Sequence, residues 1–411
     1  MDKNLTTQGK LNLELAERNM SALTSLGKRF AKEKTFKGVR IAMALHVTKE
    51  TGVLVKTLIA GGAKVAITSC NPLSSQDDVI AALQSDGVEV YGYKGESTKD
   101  YYRFLQQVLA IKPHITVDDG CDLVTEVHKR NKNLLRDIIG GTEETTTGVQ
   151  RLIAMQKNGI LQYPVIAVND NLTKHLMDNY YGTGQSTVDA IMRATNVLFA
   201  GKTVVVAGYG DCGKGVAMRA KGFGSKVIVT EVKPFRALQA AMDGFQVMPM
   251  AKAAPVGDIF ITVTGDRDVI RTEHMKVMKD GAMLANSGHF DIEIDVKGLK
   301  KLAKSQRKIR PFLDEYVLGT KSLFLIGEGR LANLVAAEGH PSEVMSMSFC
   351  GQALAMEHLL KNRGKLKAGV HDLPPAIDEQ ISSLQLESLG VRIDKLTPAQ
   401  RRYLASWDEG T

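Results

Sequence analysis

The chain has 411 residues, of which 44% are hydrophobic and 24% are charged, and it carries a formal net charge of +8. This length and balance exclude a fibrous or disordered protein and indicate a globular chain of two or three domains. The 53 basic residues are dispersed among 45 acidic ones, so the excess charge does not predict a nucleic-acid partner.

The first residues, MDKNLTTQGK, are polar and charged, which is not typical of a secretory signal. No stretch approaches the ~20 apolar residues of a membrane helix, and we therefore expect a cytoplasmic protein with no membrane partner. The four cysteines are widely separated and form no CxxC or Cys/His ligand pattern. This spacing predicts reduced thiols and no metal site.

Helical and strand-like patterns alternate along the first part of the chain. An amphipathic helix is predicted over residues 11–34, followed by apolar strands that each precede a segment of helical length. These predicted strands cover residues 39–45, 64–68, 88–93 and 114–117. Such alternation predicts a parallel sheet with helices on both faces.

A second strand series follows a predicted helix at residues 186–199. Its strands lie in the segments TVVVAGYG, KVIVTE, DIFITVTG, AMLANSG and SLFLIGEG. The fold class is therefore α/β, with two doubly wound parallel-sheet domains. The basic stretch 297–310 is interpreted as the solvated side of a helix, and a further helix is predicted over residues 374–389 in a C-terminal segment too short to form its own core.

The most specific local motif is a glycine-rich turn between a predicted strand and a predicted helix. Gly208, Gly210 and Gly213 form GxGxxG, the pattern that lets a backbone approach a pyrophosphate at a helix N-terminus. Glu231 ends the next strand, where an acid pairs with the adenosine ribose hydroxyls. This acid favours NAD over NADP, although Arg236 follows five residues later and leaves a contact with a 2′-phosphate open.

Several polar clusters lie where ligand groups are expected, at strand ends or in loops. They are Asp118–Asp119, Glu143–Thr147, Asn169–Asp170, Lys174 with Asp178–Asn179, and Gly288–Asp291, with His46 after the first strand. Each has a structural alternative. The two aspartates suit a helix N-cap, Lys174 and Asp178 suit a surface ion pair at i,i+4, and His46 suits a buried core histidine. Cys212 has no adjacent base and is interpreted as filler rather than a nucleophile.

Ten collinear blocks, covering about nine tenths of the chain, resemble the S-adenosylhomocysteine hydrolase family. They are ALHVTKETGVLVKTL, TSCNPLSSQDD, DDGCDL, EETTTGV, VNDNLTK, DN-YYG, AGYGDCGKG, GHFDIEID, GEGRLANL and GHPSEVMSMSF. The resemblance implies a discontinuous substrate domain (residues 1–180 and 341–370), an NAD-binding domain (181–340) and a C-terminal oligomerisation extension (371–411). It also implies a homotetramer with NAD as cofactor.

The implied activity is the reversible hydrolysis of S-adenosyl-L-homocysteine to adenosine and L-homocysteine. The ribose 3′-hydroxyl is oxidised transiently with NAD, homocysteine is eliminated, water adds, and the ketone is reduced again. The catalytic residues carried over by matching motif are His46, Asp119, Glu144, Lys174, Asp178 and His289. Lys174 and Asp178 assist loss of the 3′-OH proton, Asp119 is the base at C4′, and His46 is the acid and base at C5′. Glu144 binds the ribose hydroxyls and His289 lies near the reacting ribose.

The same resemblance assigns binding residues. Thr48 and Glu50 contact the purine, and His340 forms part of a gate, so that these three join the catalytic carboxylates and Lys174 as substrate contacts. The cofactor residues are Thr145, Thr146, Thr147, Asn179, Gly208, Gly210, Asp211, Cys212, Gly213, Lys214, Gly215, Glu231, Arg236, Ser287, Gly288, His289, Asn333 and His340.

Some positions depart from the family pattern. Thr183 stands where many members have a cysteine, and the acids Glu338 and Glu343 stand near the gate, which leaves purine selectivity open. The chain ends at SWDEGT, without the Lys/Tyr-bearing tail of longer members, so NAD is expected to exchange more easily. The alternatives are an S-inosylhomocysteine hydrolase, an ordinary NAD-dependent dehydrogenase and a catalytically silent NAD-binding protein.

Overall fold

The computed structural model describes residues 2–408, so the last three residues of the SWDEGT ending lie outside the described part of the chain. Within that part no helix is both long and apolar enough to cross a bilayer. The strands are β1 (Arg40–Ala44), β2 (Lys64–Thr68), β3 (Glu89–Tyr91), β4 (Ile115–Asp118), β5 (Gly140–Glu143), β6 (Pro164–Ala167), β7 (Thr203–Ala207), β8 (Lys226–Thr230), β9 (Gln246–Val247), β10 (Ile259–Thr262), β11 (Ala282–Asn286), β12 (Ser305–Arg310), β13 (Leu313–Leu318), β14 (Lys321–Ile326) and β15 (Gly369–His371).

Helices cover both sheets and the C-terminal segment. The α-helices are α1 (Lys3–Asn19), α2 (Ser21–Glu33), α3 (Lys49–Ala60), α4 (Asp77–Ser85), α5 (Thr98–Leu109), α6 (Asp122–Arg130), α7 (Thr146–Lys157), α8 (Thr183–Thr195), α9 (Asp211–Gly222), α10 (Pro234–Met242), α11 (Met250–Ala253), α12 (Thr272–Val277), α13 (Val296–Leu302), α14 (Ala332–Val335), α15 (Ser342–Lys361), α16 (Pro375–Ser388) and α17 (Pro398–Ala405). A π-helical segment, Thr173–Gly182, precedes α8 directly.

The first sheet is entirely parallel, in the order β15-β6-β5-β4-β1-β2-β3. Alternate residues of β1 enter two separate cores, because successive side chains of a strand point to opposite faces. Ile41 and Met43 pack in one core with α1, α2, α3 and α15, while Ala42 and Ala44 pack in the other with α5 and α6. The C-terminal strand β15 pairs with β6, so the chain returns to this sheet after completing the second one.

The second sheet has the order β12-β13-β14-β11-β10-β7-β8-β9. Strands β9, β8, β7, β10, β11 and β14 are parallel, and β13 and β12 extend the edge antiparallel. Val204 and Val206 of β7 lie in one core and Val205 lies in another, so this sheet is also covered on both faces.

The prediction of two doubly wound α/β sheets is confirmed, with several differences in detail. The predicted helix 11–34 continues to residue 3 and is divided at Met20, where φ −109° and ψ 51° leave the helical region. Part of the basic stretch 297–310 is strand β12, whose six residues are all exposed, so the helical interpretation is wrong there. The structure also contains β5, β6, β9, β13 and β15, which the apolar pattern did not predict.

The strand orders place a topological switch point in each sheet. In the first sheet the chain order reverses between β1 and β4, and in the second between β7 and β10. Ligands of open α/β sheets bind at the carboxyl ends of the strands at such a point. His46 and Asp119 follow β1 and β4, and the glycine-rich turn follows β7, so both switch points carry predicted site residues.

Candidate active site between the two sheets

The carboxyl ends of both sheets line one cleft that holds about 1340 Å³ of empty space. Most of the residues predicted from sequence lie on its wall: His46, Thr48, Glu50, Asp119, Glu144, Thr145, Thr146, Thr147, Lys174, Asp178, Asn179, Gly210, Asp211, Cys212, Arg236, Ser287, Gly288, His289, Asn333 and His340. Five predicted cofactor residues do not line this cleft. They lie in or beside the glycine-rich turn that forms its floor: Gly208, Gly213, Lys214, Gly215 and Glu231.

Asp119 is the centre of a group of titratable side chains. Its Oδ2 lies 3.3 Å from His46 Nε2, and its Oδ1 lies 3.6 Å from His289 Nδ1. His289 comes from the second sheet, and its approach requires the glycine at position 120. A Cβ there would sit 2.5 Å from His289 Nε2, and the φ of 109° is one that residues with side chains rarely adopt. Burial lowers the pKa of His46 to about 4, even though the Asp119 charge opposes this, so the imidazole is neutral near pH 7.

Lys174 lies in the π-helical segment and faces two residues of the following turn. Its Nζ is 3.0 Å from Asp178 Oδ2 and 2.8 Å from Asn179 Oδ1. A π-helix has i→i+5 hydrogen bonds, and this widened turn aligns position 174 with both 178 and 179. The side chains of Lys174 and Asp178 are buried, so the surface ion-pair alternative is wrong.

The buried pair stays charged over the whole neutral range. Burial by itself would lower the pKa of Lys174, but the charges of Asp178 and Glu144 outweigh it and raise the pKa above its ordinary value. For Asp178, burial is outweighed by His340 and Lys174, which hold the carboxyl pKa below its usual range. A lysine that removes a proton needs a lowered pKa, so this geometry suits a charged donor instead.

Glu144 follows β5 and is held from helix α15. Ser348 Oγ donates to one carboxylate oxygen and Gln352 Nε2 donates to the other. Burial raises the pKa of Glu144 to about 7, although Lys174 and both donors favour the charged form. This carboxyl therefore titrates near neutrality.

The raised pKa of Glu144 predicts a pH-dependent stability. The folded state binds the Glu144 proton more tightly than the unfolded state, in which the pKa is 4.5. Protonation of Glu144 therefore stabilises the fold fully below pH 4.5, and this stabilisation is lost as the pH rises through 7. Wild type loses this stabilisation as the pH rises, whereas the amide of Glu144→Gln does not titrate. The unfolding free energy of the variant minus that of wild type should therefore increase by about 3 kcal/mol from pH 4.5 to pH 8. Urea unfolding of substrate-free protein at both pH values measures this change.

Any pH-independent cost of the amide cancels in that comparison. Glu343→Gln, the same substitution at an exposed position, serves as the matched control. An unchanged difference for Glu144→Gln would contradict the raised pKa.

Glu50 lies at the first turn of α3, at another end of the cleft. It is 2% exposed, and its Oε1 accepts a hydrogen bond of 2.6 Å from Ser342 Oγ and lies 3.4 Å from Lys49 Nζ. Glu338 and Glu343, the two acids that depart from the family pattern near the gate, do not line the cleft. Glu338 is exposed and bridges Lys49 and Arg193 at 3.3 Å each, and Glu343 is also exposed.

His340 connects the two halves of the cleft. Its Nδ1 bonds to Asp178 Oδ1, and its Nε2 lies 3.0 Å from Asn333 Nδ2 and 3.3 Å from Thr183 Oγ1. Thr183 also lies 3.6 Å from Cys212 Sγ, so the hydroxyl at this departure from the family pattern contacts the glycine-rich turn.

The residues of the glycine-rich turn fit a dinucleotide. Helix α9 begins at this turn and has no side-chain cap, so its first N–H groups are free for a phosphate. A Cβ at Gly213 would lie 2.1 Å from Gly208 O, which explains why helix and strand meet only with glycine there. Among residues 2–408, Asn333 Oδ1 is one of the buried side-chain oxygens without a hydrogen-bond partner, and it belongs to a residue on the cleft wall. Such an oxygen can accept from a carboxamide.

Glu231 is half-buried beside this turn. Its Oε2 accepts the N–H of Tyr209 at 2.8 Å, and its Oε1 accepts those of Val232 and Lys233. Burial opposes ionisation, but these backbone donors lower the pKa of Glu231, so the carboxylate is charged and retains lone pairs for ribose hydroxyls. The guanidinium of Arg236 lies against Gly210 on the cleft wall.

Sequence reasoning did not single out several residues that hold the site. Ser348 and Gln352 donate hydrogen bonds to Glu144, Ser342 donates one to Glu50, and Cys70 lies 3.6 Å from Asp119. The serines and the glutamine lie among apolar residues of α15. Ser348 and Gln352 stand at i,i+4, which is a detectable signal of a polar stripe facing a site.

Two family models match the chain. Residues 1–136 match the one described as S-adenosyl-L-homocysteine hydrolase, and residues 179–339 match the one described as S-adenosyl-L-homocysteine hydrolase, NAD binding domain. The chain is 56% identical over 410 residues to S-inosyl-L-homocysteine hydrolase of Methanocaldococcus jannaschii, covering 100% of this chain and 99% of the relative. It is 55% identical over 412 residues to adenosylhomocysteinase of Saccharolobus solfataricus, with the same coverage.

One solved structure is similar in fold. It is a dipicolinate synthase chain from Bacillus halodurans, which aligns with a TM-score of 0.51 and 14% identity and covers 80% of this chain and 99% of its own length. At this identity the likeness concerns the two-sheet architecture alone.

Proposed function

The chain belongs to the S-adenosyl-L-homocysteine hydrolase family, and from this premise we propose that it cleaves S-adenosyl-L-homocysteine reversibly to adenosine and L-homocysteine, with NAD as cofactor. The observation that carries the proposal is the single cleft in which Asp119, Glu144 and the Lys174–Asp178 pair face the glycine-rich turn. A dehydrogenase fold supplies the turn, and the buried acid–base groups supply the means to break a thioether.

The thioether carbon C5′ is saturated, and direct displacement of a thiolate from it is slow. Bound NAD supplies a hydride acceptor for C3′ of the ribose. With C3′ at the ketone level, the C4′ proton becomes acidic and a carboxylate can remove it. The elimination of homocysteine then needs only a base at C4′.

Lys174 acts as a charged donor to the 3′ oxygen. Its ammonium stabilises the negative charge that develops on the 3′ oxygen as the hydroxyl gives its proton to the Glu144 carboxylate, whose pKa of about 7 suits a base. Asp178 and Asn179 hold Nζ in place at 3.0 and 2.8 Å, so little reorganisation is needed at the moment of reaction. Glu144 accepts hydrogen bonds from the ribose hydroxyls, while Ser348 and Gln352 of α15 hold its carboxylate in place.

Asp119 removes the C4′ proton, and His46 and His289 flank it. His46 is neutral near pH 7, so its imidazole has a free lone pair that can accept a proton from the water that adds at C5′. The lowered pKa of His46 disfavours this residue as a proton donor to the departing sulfur. Thr48 and Glu50 contact the purine, and His340 closes the cleft above the ribose.

Incubation with S-adenosyl-L-homocysteine and a thiol reagent tests the reaction. Free thiol without net NADH is the expected result, because the redox step is internal. Accumulation of NADH would indicate an ordinary dehydrogenase, and neither product would indicate a silent NAD-binding protein.

We propose the domain arrangement and the assembly on the same premise. Residues 1–180 and 341–370 form the substrate domain, 181–340 the NAD domain, and 371–411 an extension that packs on a partner in a homotetramer. Exposed apolar side chains of the extension, such as Ile393, Leu404 and Trp407, support an interface there. A cytoplasmic location is supported by the free thiols of all four cysteines. Mass photometry of the purified protein tests the assembly.

Glu231→Ala is expected to weaken NAD binding far more than substrate binding. The change removes an acceptor for two ribose hydroxyls and the acceptor that fixes Tyr209 N–H in the turn, at a cost of about 1–3 kcal/mol. This corresponds to roughly a 5- to 150-fold increase in the Kd for NAD, measured by fluorescence titration. Glu231→Gln keeps one acceptor oxygen, so its Kd for NAD should lie between those of wild type and the alanine variant. An unchanged Kd in the alanine variant would refute the role of Glu231 in NAD binding.

A further inference from the structure

His175 joins the π-helical segment to the glycine-rich turn, although no sequence pattern indicated it. Its Nε2 lies 2.6 Å from Oδ2 of Asp211, the first residue of α9, and both side chains lie on the cleft wall. Beside this pair, a Cβ at Gly215 would overlap the carbonyl oxygen of Tyr180, so the segment and α9 pack backbone against backbone. The pair therefore belongs to a close contact between two elements and not to a mobile surface.

Asp211 places a negative charge where the diphosphate of the cofactor is expected. Helix α9 has no side-chain cap, and its first N–H groups are free for a phosphate. A carboxylate in this first turn repels a bound anion unless cations compensate it. The basic side chains that face Asp211 are His175, Lys214, whose Nζ lies 3.7 Å from Oδ1, and Arg236 of α10. Of these three residue types, only histidine changes its charge in the neutral range.

The surroundings of His175 favour its protonated form. The hydrogen bond with Asp211 raises the pKa of this imidazole above its ordinary value of 6.5, against the opposing effect of burial. The charges of Asp211 and of Asp170, in the 3₁₀ turn before the segment, act in the same direction, whereas the neighbouring Lys174 acts against them. The same hydrogen bond holds the pKa of Asp211 below its usual range. The proton on His175 is therefore coupled to the charge at the start of α9.

The second nitrogen of His175 lacks a partner. Nδ1 is buried and has no hydrogen bond to any of the described residues 2–408. When Nε2 donates to Asp211, protonation of the ring places another N–H at Nδ1. A buried donor without an acceptor is costly, so the imidazolium is stabilised by an anion bound in the cleft. The diphosphate of NAD is the anion expected at this turn.

We propose that His175 belongs to the cofactor site and binds NAD in its protonated form, in which it compensates the Asp211 carboxylate beside the diphosphate. The negative charges of the diphosphate hold this proton more firmly, since an opposite charge within ~4–6 Å shifts a pKa by ~1–3 units. NAD binding therefore takes up a proton, and the affinity for NAD falls as the pH rises through the pKa of His175 in the free enzyme. This role depends on NAD as the cofactor and not on the reaction proposed above.

Equilibrium dialysis of the full chain against NAD, without substrate, tests this role at pH 6 and pH 9. His175→Gln keeps a neutral N–H for Asp211, because its amide nitrogen takes the place of Nε2, but it cannot be protonated. At pH 6 the Kd for NAD should be about 10-fold higher in His175→Gln than in wild type, and at pH 9 the two values should be nearly equal. The ratio of the two Kd values at each pH cancels the contribution of other titrating groups such as Glu144.

His358→Gln is the matched control, because His358 is a partly buried histidine of α15 that does not line the cleft. It should bind NAD like wild type at both pH values. His175→Lys supplies a permanent charge and should bind NAD more tightly than wild type at pH 9. The proposal is overturned if the Kd of His175→Gln depends on pH as that of wild type does, or if His175→Lys gains no affinity at pH 9.

ADP-ribose separates the two halves of the cofactor, since it carries the diphosphate but no nicotinamide. The Kd ratio between His175→Gln and wild type should be the same for ADP-ribose as for NAD, and a ratio of one at pH 6 would contradict a role at the diphosphate. Titration calorimetry at pH 8 in buffers of different ionisation enthalpy measures the proton itself. Wild type should take up a proton on binding NAD and His175→Gln should not, whereas equal uptake by both proteins would refute the proposal.

Discussion

Lys174→Ala is expected to lower kcat by ~10²-fold or more while the enzyme keeps its NAD. The substitution removes the charged donor that lies 3.0 Å from Asp178 and 2.8 Å from Asn179, where the 3′ oxygen of the ribose is proposed to bind. The cofactor is proposed to be held independently, by the glycine-rich turn and Glu231. Single-turnover kinetics and the NAD content of the purified variant measure the two effects separately.

The structural cost of this change needs its own control. Alanine leaves Asp178 buried without its lysine partner and hydrogen-bonded to His340, and breaking a buried pair destabilises a protein by about 3–5 kcal/mol. Lys174→Gln keeps an N–H donor for Asp178 without the charge, and it should fold better while remaining as slow. Lys56→Ala removes an exposed ion pair with Glu17 and should leave kcat unchanged.

A variant of Lys174 that is folded, loaded with NAD and retains more than about a tenth of wild-type kcat would contradict the role of the lysine. Loss of NAD together with activity would instead assign Lys174 to cofactor binding.

The adenosyl substrate is expected to be preferred over the inosyl one by ~10²-fold or more in kcat/KM. Glu50 accepts hydrogen bonds, and the 6-amino group of adenine donates one, whereas hypoxanthine has a carbonyl oxygen at position 6 and donates only from N1–H. The Ser342 hydroxyl occupies Oε1, which orients the carboxylate and leaves Oε2 for the base. A carboxylate left facing a carbonyl in a 2%-exposed position loses its hydrogen bond without gaining water.

Identity to relatives does not decide this preference, because an S-inosyl-L-homocysteine hydrolase and an adenosylhomocysteinase are 56% and 55% identical to the chain. Lys49, 3.4 Å from Glu50, is the group that would favour the inosyl carbonyl by donating to it. Competition between both substrates measures the ratio directly.

Glu50→Gln provides the discriminating variant, since an amide can donate or accept and should reduce the ratio toward one. Glu343→Gln, the same substitution at an exposed position that does not line the cleft, should leave the ratio unchanged. A wild-type ratio near one, or one that favours the inosyl substrate, would mean that Glu50 does not select the purine.

Local patterns in the sequence were sufficient for the fold class and for the glycine-rich turn. Runs such as TVVVA are apolar on both sides, and a strand of this kind is stable only within a covered parallel sheet. The GxGxxG spacing is equally local, because the close contact of Gly213 with Gly208 O is made within six residues. Collinear motifs then indicated the family, which the matches to both family models confirm.

Strand β5 illustrates what the pattern did not reveal. Its sequence, GGTE, has low strand propensity, yet it occupies a buried position between β4 and β6. A Cβ at Gly140 would lie 2.6 Å from Leu359 of α15, and one at Gly141 would lie 2.5 Å from Thr116 Oγ1. The glycines are required by neighbours more than 20 residues away, and no local pattern carries that information.

The chemistry of the site was decided in the same way. The sequence placed Lys174 four residues before Asp178, but only burial and the charges of Asp178 and Glu144 set the direction of its pKa. His46, Cys70 and Asp119 lie together only because β1, β2 and β4 align their carboxyl ends. Propensity and spacing act over a few residues, whereas desolvation and Coulomb interactions depend on which distant groups the fold packs together, and these were fixed by the tertiary structure alone.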